Sequence, residues 1–141
     1  MTPQQIALVQ SSFERLSPQL PGLATRFYQE LFGLNPALRT LFPTDMAEQK
    51  VKFAEKLTEI VRAMHCLDEL LIHTRALGAR HVLYGVRAAD YETVGAALLA
   101  GLASVLGDSF DAATRQAWAL AYNLVAETML EGAAAARPIG S

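Results

Sequence analysis

A single cysteine, Cys66, stands in 141 residues. It excludes an intramolecular disulfide and a zinc site built from several thiolates, and it suits a reducing compartment. No run of roughly 18 apolar residues occurs, so no membrane-spanning helix is expected. No basic segment followed by an apolar one opens the chain, so no signal peptide is expected and the expected location is the cytoplasm. The formal net charge of −2 offers no global attraction for nucleic acid or an anionic membrane. Alternating β-branched runs long enough for a strand are missing, as are internal repeats and a glycine-rich dinucleotide fingerprint. The glutamates show no paired-carboxylate spacing suited to acid–base catalysis.

What remains is helical. The chain is 52% hydrophobic and 18% charged, a balance that argues against disorder and gives one domain enough apolar material for a core. Thr2-Pro3-Gln4-Gln5 reads as a capping box, followed by Ile6, Val9, Phe13 and Leu16 on one face until Ser17-Pro18. A second helix is expected from about Pro21 to Leu34, carrying Leu23, Phe27, Tyr28 and Leu31. Asn35-Pro36 breaks it and starts a short helix, Ala37 to Phe42. Asp45 and Glu48 give a cap-like start to a helix whose stripe holds Gln49, Phe53, Leu57, Ile60, Val61 and Met64. Its other face, with Lys50, Lys52, Glu55, Lys56 and Glu59, reads as solvated.

The histidines separate on the next helix, expected from Glu69. Thr74, Leu77 and His81 lie within about 40° of the direction of Leu70 at 100° per residue, so His81 falls on the buried stripe. His73 lies about 80° from His81, at the edge of that stripe. An imidazole buried without a partner is costly, and a metal would supply one. Taken alone, though, such a histidine is more often a hydrogen-bonded core residue than a ligand. Asp90 is placed to cap a long helix with Tyr91, Val94, Leu98, Leu102 and Val105, closed by Gly107. A last helix starts between Asp108 and Asp111, carries Trp118, Tyr122, Val125 and Met129, and is expected to end near Gly132. The expected architecture is all-α, six or seven helices in one domain over 1–132, with a flexible tail over 133–141.

Three fragments carry a family resemblance: Phe27 to Phe32 with Asn35 to Phe42, then Leu77 to His81 with Tyr91 to Gly95, then Ala117 to Tyr122. In this order and spacing they resemble the bacterial single-domain globins and the haem domain of flavohaemoglobins, across roughly residues 3 to 130. The resemblance implies a globin fold around a haem pocket, with haem b as cofactor and helices crossing at about 50°. It makes His81 the proximal iron ligand and Phe42 the ring wedged against the haem face. Tyr28 becomes the distal donor, with Gln49 facing the ligand and Phe53 packing over the iron. Tyr91 sits near the proximal histidine, and Leu57, Leu77, Val86 and Val94 join the cofactor pocket. Lys52 and Arg80, near the expected rim, are cations suited either to haem propionates or to solvent. His65, His73 and Cys66 read as structural or solvated.

Two positions depart from the family pattern. Phe53 stands where leucine is common. The helix glutamate that flavohaemoglobins hold against the proximal histidine falls on Ala133, and Glu131 points about 200° away from that direction. The resemblance implies a protein that binds O2 reversibly, with CO and NO as further ligands, serving oxygen transport or storage. Nitric oxide dioxygenase or nitrite reductase activity with an external reductase is the alternative, since flavohaemoglobins continue into flavin and nicotinamide domains. A third reading is a haem-free helical interaction module, which would have no use for His81.

Overall fold

The computed structural model describes residues 1–42, 44–83 and 87–136. Among them are six α-helices and no strand: α1 (Pro3–Leu16), α2 (Leu20–Leu34), α3 (Ala47–Arg62), α4 (Leu67–Leu83), α5 (Asp90–Leu106) and α6 (Ala112–Ala136). Single 3-10 segments join several of them, at Ser17–Gln19, Pro36–Leu41, Ala63–His65 and Gly107–Ser109. No described helix is long and apolar enough to cross a membrane.

Local chemistry explains most of the boundaries. The capping box at the start of α1 is complete: the Gln5 N–H donates to the Thr2 hydroxyl, and the Gln5 side chain accepts from the Thr2 N–H. α1 ends at Ser17-Pro18 as expected, and the chain passes through one 3-10 turn directly into α2, since proline is compatible with the first turn of a helix. The expected short helix after Asn35 is 3-10, with the Asn35 side chain accepting from the Ala37 N–H at 3.2 Å. Phe42 lies just beyond it in extended backbone. At the start of α3 the Asp45 carboxylate accepts from the Ala47 N–H at 3.0 Å, while Glu48 pairs with Lys52 instead of reaching back. Asp90 is the first residue of α5, and its carboxylate turns back to the Arg87 N–H at 2.8 Å. Asp111 caps α6 by accepting from the Thr114 N–H.

The core forms where the apolar stripes converge. Val9, Phe13 and Leu16 of α1, Leu23, Phe27 and Leu31 of α2, Val61 of α3, Leu98 and Leu102 of α5, and Trp118 of α6 are buried together. The Trp118 indole donates to Ser12 Oγ at 2.8 Å, and Ser12 in turn donates to the carbonyl oxygens of its own helix. That chain satisfies two polar groups in an otherwise apolar layer. α2 packs across α5, and α4 runs along α6 in the most extensive pairing of the molecule.

The α4–α6 pairing corrects the expected end of the last helix. Gly132 does not terminate α6, which continues to Ala136 with Ala133 buried. A Cβ on Gly132 would lie 1.9 Å from the Arg75 carbonyl oxygen, and one on Gly78 would lie 1.9 Å from the Met129 carbonyl oxygen. The two glycines therefore let the helix backbones touch, one from each side. Glycine read from sequence as a stop is here a contact residue, and the alanines after it are strong helix formers.

Gly132→Ala separates these roles by sign. Were Gly132 an ordinary helix position, alanine would stabilise the fold by up to ~1 kcal/mol. Against a backbone carbonyl that cannot move aside, the methyl group is expected to destabilise by about 1–3 kcal/mol, read as a lowered urea midpoint.

Candidate functional site

A cavity of about 790 Å³ opens between α2, α3, α4, α5 and α6, within the ~300–1,000 Å³ typical of cofactor and ligand sites. The structure brings Tyr28, Phe42, Gln49, Phe53, Leu57, Leu77, His81, Tyr91 and Val94 onto its wall. Val86 lies outside the described residues. A second concavity, of about 610 Å³, is a groove on the outer side of α2 and α3, and it contains no histidine, cysteine or aromatic residue. The chemistry is in the first.

His81 stands near the C-terminal end of α4, one turn after Leu77. Its Nδ1 lies 2.8 Å from the Leu77 carbonyl oxygen. A carbonyl can only accept, so Nδ1 carries the proton and the lone pair of the neutral ring is on Nε2. Burial lowers the His81 pKa from its ordinary value; the Leu77 bond opposes this, and the cations of Arg80 and Lys56 add to it. The imidazole is thus held neutral at neutral pH, the form that binds a metal.

From α2 and α3 come the polar groups of the other wall. Tyr28 is 5% exposed. Burial raises its pKa, with the hydrogen bond from Gln49 acting in the opposite direction, so the phenol keeps its proton. Gln49 Nε2 donates to the Tyr28 hydroxyl oxygen at 3.3 Å. That bond engages an oxygen lone pair and leaves the hydroxyl proton for another acceptor. Around this pair the wall is aromatic. Phe53 stacks on Phe27 at 4.4 Å between ring centroids, 12° from parallel, and both rings make T-shaped contacts with Tyr28. Phe42 meets Tyr28 and Phe32 edge-on. Each such pair contributes ~0.5–1.5 kcal/mol beyond its buried area. Arg39 pins the segment that carries Phe42: its guanidinium lies over Phe32 and donates to the carbonyl oxygens of Phe42 and Thr44.

On the α5–α6 side, Tyr91 is buried with Ala126 and Met129, against Leu77, Tyr122 and Val125. The Tyr122 hydroxyl makes a short bond to the Tyr91 carbonyl oxygen. Burial raises the pKa of both phenols, that of Tyr122 most strongly. The position expected for a proximal carboxylate, Ala133, is buried alanine, and Glu131 pairs with Arg75 at 2.9 Å on the surface.

The rim cations divide. Lys52 lines the cavity and pairs with Glu48, and Arg80 lines it from α4. Lys56, read from sequence as part of a solvated face, lines the cavity too, and its charge acts on His81. The spacing carried that signal: Lys56 is one helical turn after Lys52 and three residues after Phe53. Trp118, Leu98 and Met64 also reach the cavity wall and were readable only as core. His65, His73 and Cys66 are exposed.

The donor set decides what could occupy the cavity. Among the described residues no cluster of three or more histidine, cysteine, aspartate or glutamate side chains could hold a bare ion. One neutral imidazole on an apolar, aromatic-walled cavity fits a metal that brings its remaining ligands with it. An iron porphyrin is such a group.

Comparison with known proteins agrees. The Globin family model matches residues 25–129. The chain is similar to a flavohemoprotein of Bordetella pertussis, with 31% identity over 133 residues that cover 92% of this chain and 33% of that protein. It thus spans about a third of the length of the flavohemoproteins it matches. It is likewise similar to a leghemoglobin of Psophocarpus tetragonolobus, 31% identical over 137 residues that cover 91% of this chain and 94% of that one. A bacterial globin from Campylobacter jejuni superposes with a TM-score of 0.83 at 24% identity, covering 95% of this chain and 97% of that one, which is a likeness of fold. The matched span takes in the site from Tyr28 to Tyr122, and the chain belongs to the globin family.

Proposed function

We propose that this globin holds haem b through His81 Nε2 and binds O2 reversibly, with CO and NO as further ligands, as a carrier or store in the cytoplasm. The observation that carries the proposal is the tautomer of His81: the Leu77 carbonyl oxygen fixes the proton on Nδ1 and directs the lone pair to Nε2. When bound, ferrous haem supplies an iron with a position open to a diatomic gas. The protein's own residues do the rest. Leu57, Leu77 and Val94 provide apolar contact, Phe42 and Phe53 supply rings to the wall opposite His81, and Lys52, Lys56 and Arg80 are the cations at hand for the propionates. Tyr28 is a protonated donor whose oxygen already accepts from Gln49. Accepting that bond polarises the hydroxyl and makes its proton a better donor to a ligand carrying partial negative charge.

Nitric oxide dioxygenation or nitrite reduction with a separate reductase is the second reading, favoured by the likeness to flavohemoproteins. Ala133 and the surface pairing of Glu131 weigh against it, because they supply no carboxylate to increase electron release from His81.

Two measurements test the first reading. Adding hemin to the purified protein is expected to give a Soret band that shifts on reduction and again under CO. His81→Ala should weaken that band, and free imidazole should restore it, which distinguishes a lost ligand from a lost fold. No Soret band in the unmodified protein overturns the proposal. Tyr28→Phe removes a hydrogen bond worth ~1.5–3 kcal/mol to a charged acceptor. The O2 dissociation rate, by stopped flow, should rise roughly tenfold to a hundredfold, with CO dissociation nearly unchanged.

A further inference from the structure

We infer that α3 is a self-association surface, which pairs in parallel with α3 of a second copy of this chain about a two-fold axis parallel to the helix. The surface is independent of the haem reading. It lies on the face of α3 turned away from the cavity, with Val51 about 160° round the helix from Phe53.

The place of contact is the groove of about 610 Å³ between α2 and α3. From α3 it takes Ala47, Val51, Ala54 and Thr58, spaced four, three and four residues apart, which is the a/d spacing of a coiled-coil seam. In one copy this seam is solvated: none of the four residues is buried, and Val51 is 56% exposed. The one hydroxyl in the seam needs nothing from outside, because Thr58 Oγ1 donates to the Ala54 carbonyl oxygen at 2.7 Å. The small side chains of Ala47 and Ala54 let a second helix approach closely, and Leu20 and Pro21 of α2 wall the groove on its other side.

Charge identifies the occupant as a second copy and sets its direction. Lys50 and Glu55, read from sequence as part of a solvated face, flank the seam at the g position before Val51 and the e position after Ala54. Neither has an ion pair among the described residues, whereas Lys52 and Lys56 each have one. Five residues apart, they stand about 140° apart round α3 and cannot reach each other. In a parallel pair the g residue of one helix meets the e residue five positions on in the other. Lys50 then meets Glu55 of the second copy, and the two-fold axis makes that contact twice. An antiparallel pair brings g to g and e to e, which sets like charges on the same side. A seam this short gives a weak dimer.

Sedimentation velocity of the purified full chain, from micromolar to millimolar concentration, tests the pairing. The unmodified protein should pass from monomer to dimer as concentration rises, and more readily at low salt, where exposed pairs are less screened. Lys50→Glu alone and Glu55→Lys alone each set like charges together and should raise the dimer dissociation constant roughly tenfold or more. The two exchanges combined should restore it to near the unmodified value, a rescue that an antiparallel pair or an interface elsewhere does not give. All three substitutions are on exposed or half-exposed positions, and the thermal midpoint of the dilute monomer should not move. A chain that is monomeric throughout, a dimer indifferent to either single reversal, or one that the double exchange fails to restore overturns the inference. The Soret band is no part of this readout, so the haem reading stands or falls separately.

Discussion

The Leu77 carbonyl group connects fold to chemistry in this protein. It sits in α4 one turn before His81, and it takes the Nδ1 proton of His81 at 2.8 Å. That one bond chooses the tautomer, fixes the ring plane and leaves Nε2 with the lone pair. Its usefulness depends on α4 being immobile. The backbone contact with α6 through Gly78 and Gly132 supplies that immobility, since neither helix can slide without driving a Cα into the other's carbonyls. Packing of α4 against α6 therefore helps set the position of a donor atom one turn further along α4.

The two walls of the cavity are built by different means. The His81 wall relies on backbone: a carbonyl acceptor, a glycine-mediated helix contact, and the Tyr122 hydroxyl tied to the Tyr91 carbonyl oxygen. The opposite wall relies on side chains, five rings and an amide–phenol pair whose geometry follows from mutual packing. Backbone devices tolerate little change. Side-chain devices can change without moving the helices that carry them.

Much of this was legible in the sequence because it depended on local rules. The capping box at Thr2, the break at Asn35-Pro36 and the burial of Leu23, Phe27, Tyr28 and Leu31 follow from spacing and turn chemistry alone. The features that were not legible depend on a neighbour distant in the chain. Gly132 looked like a helix end until Arg75 was found against it, 57 residues earlier. Lys56 looked solvated until α4 brought His81 near. Ser12 gave no sign of its role because its partner, Trp118, lies on the last helix. Periodicity locates a face; it does not say what the face meets.

The acceptor opposite His81 also bears on which chemistry the site favours. A carboxylate bonded to Nδ1 would draw the proton toward itself and make the imidazole a stronger donor to iron. A backbone carbonyl is neutral and draws it much less. Ala133 offers no side chain to change that, and Glu131 is spent on Arg75 at the surface. In the proposed haem complex the ligand would then be an ordinary neutral imidazole, which favours the ferrous state more than an imidazolate would. Reversible gas binding requires that state and gains from a distal donor such as Tyr28. Strongly activating chemistry requires the opposite push, so in the proposed haem complex the two walls would favour holding a ligand over transforming it.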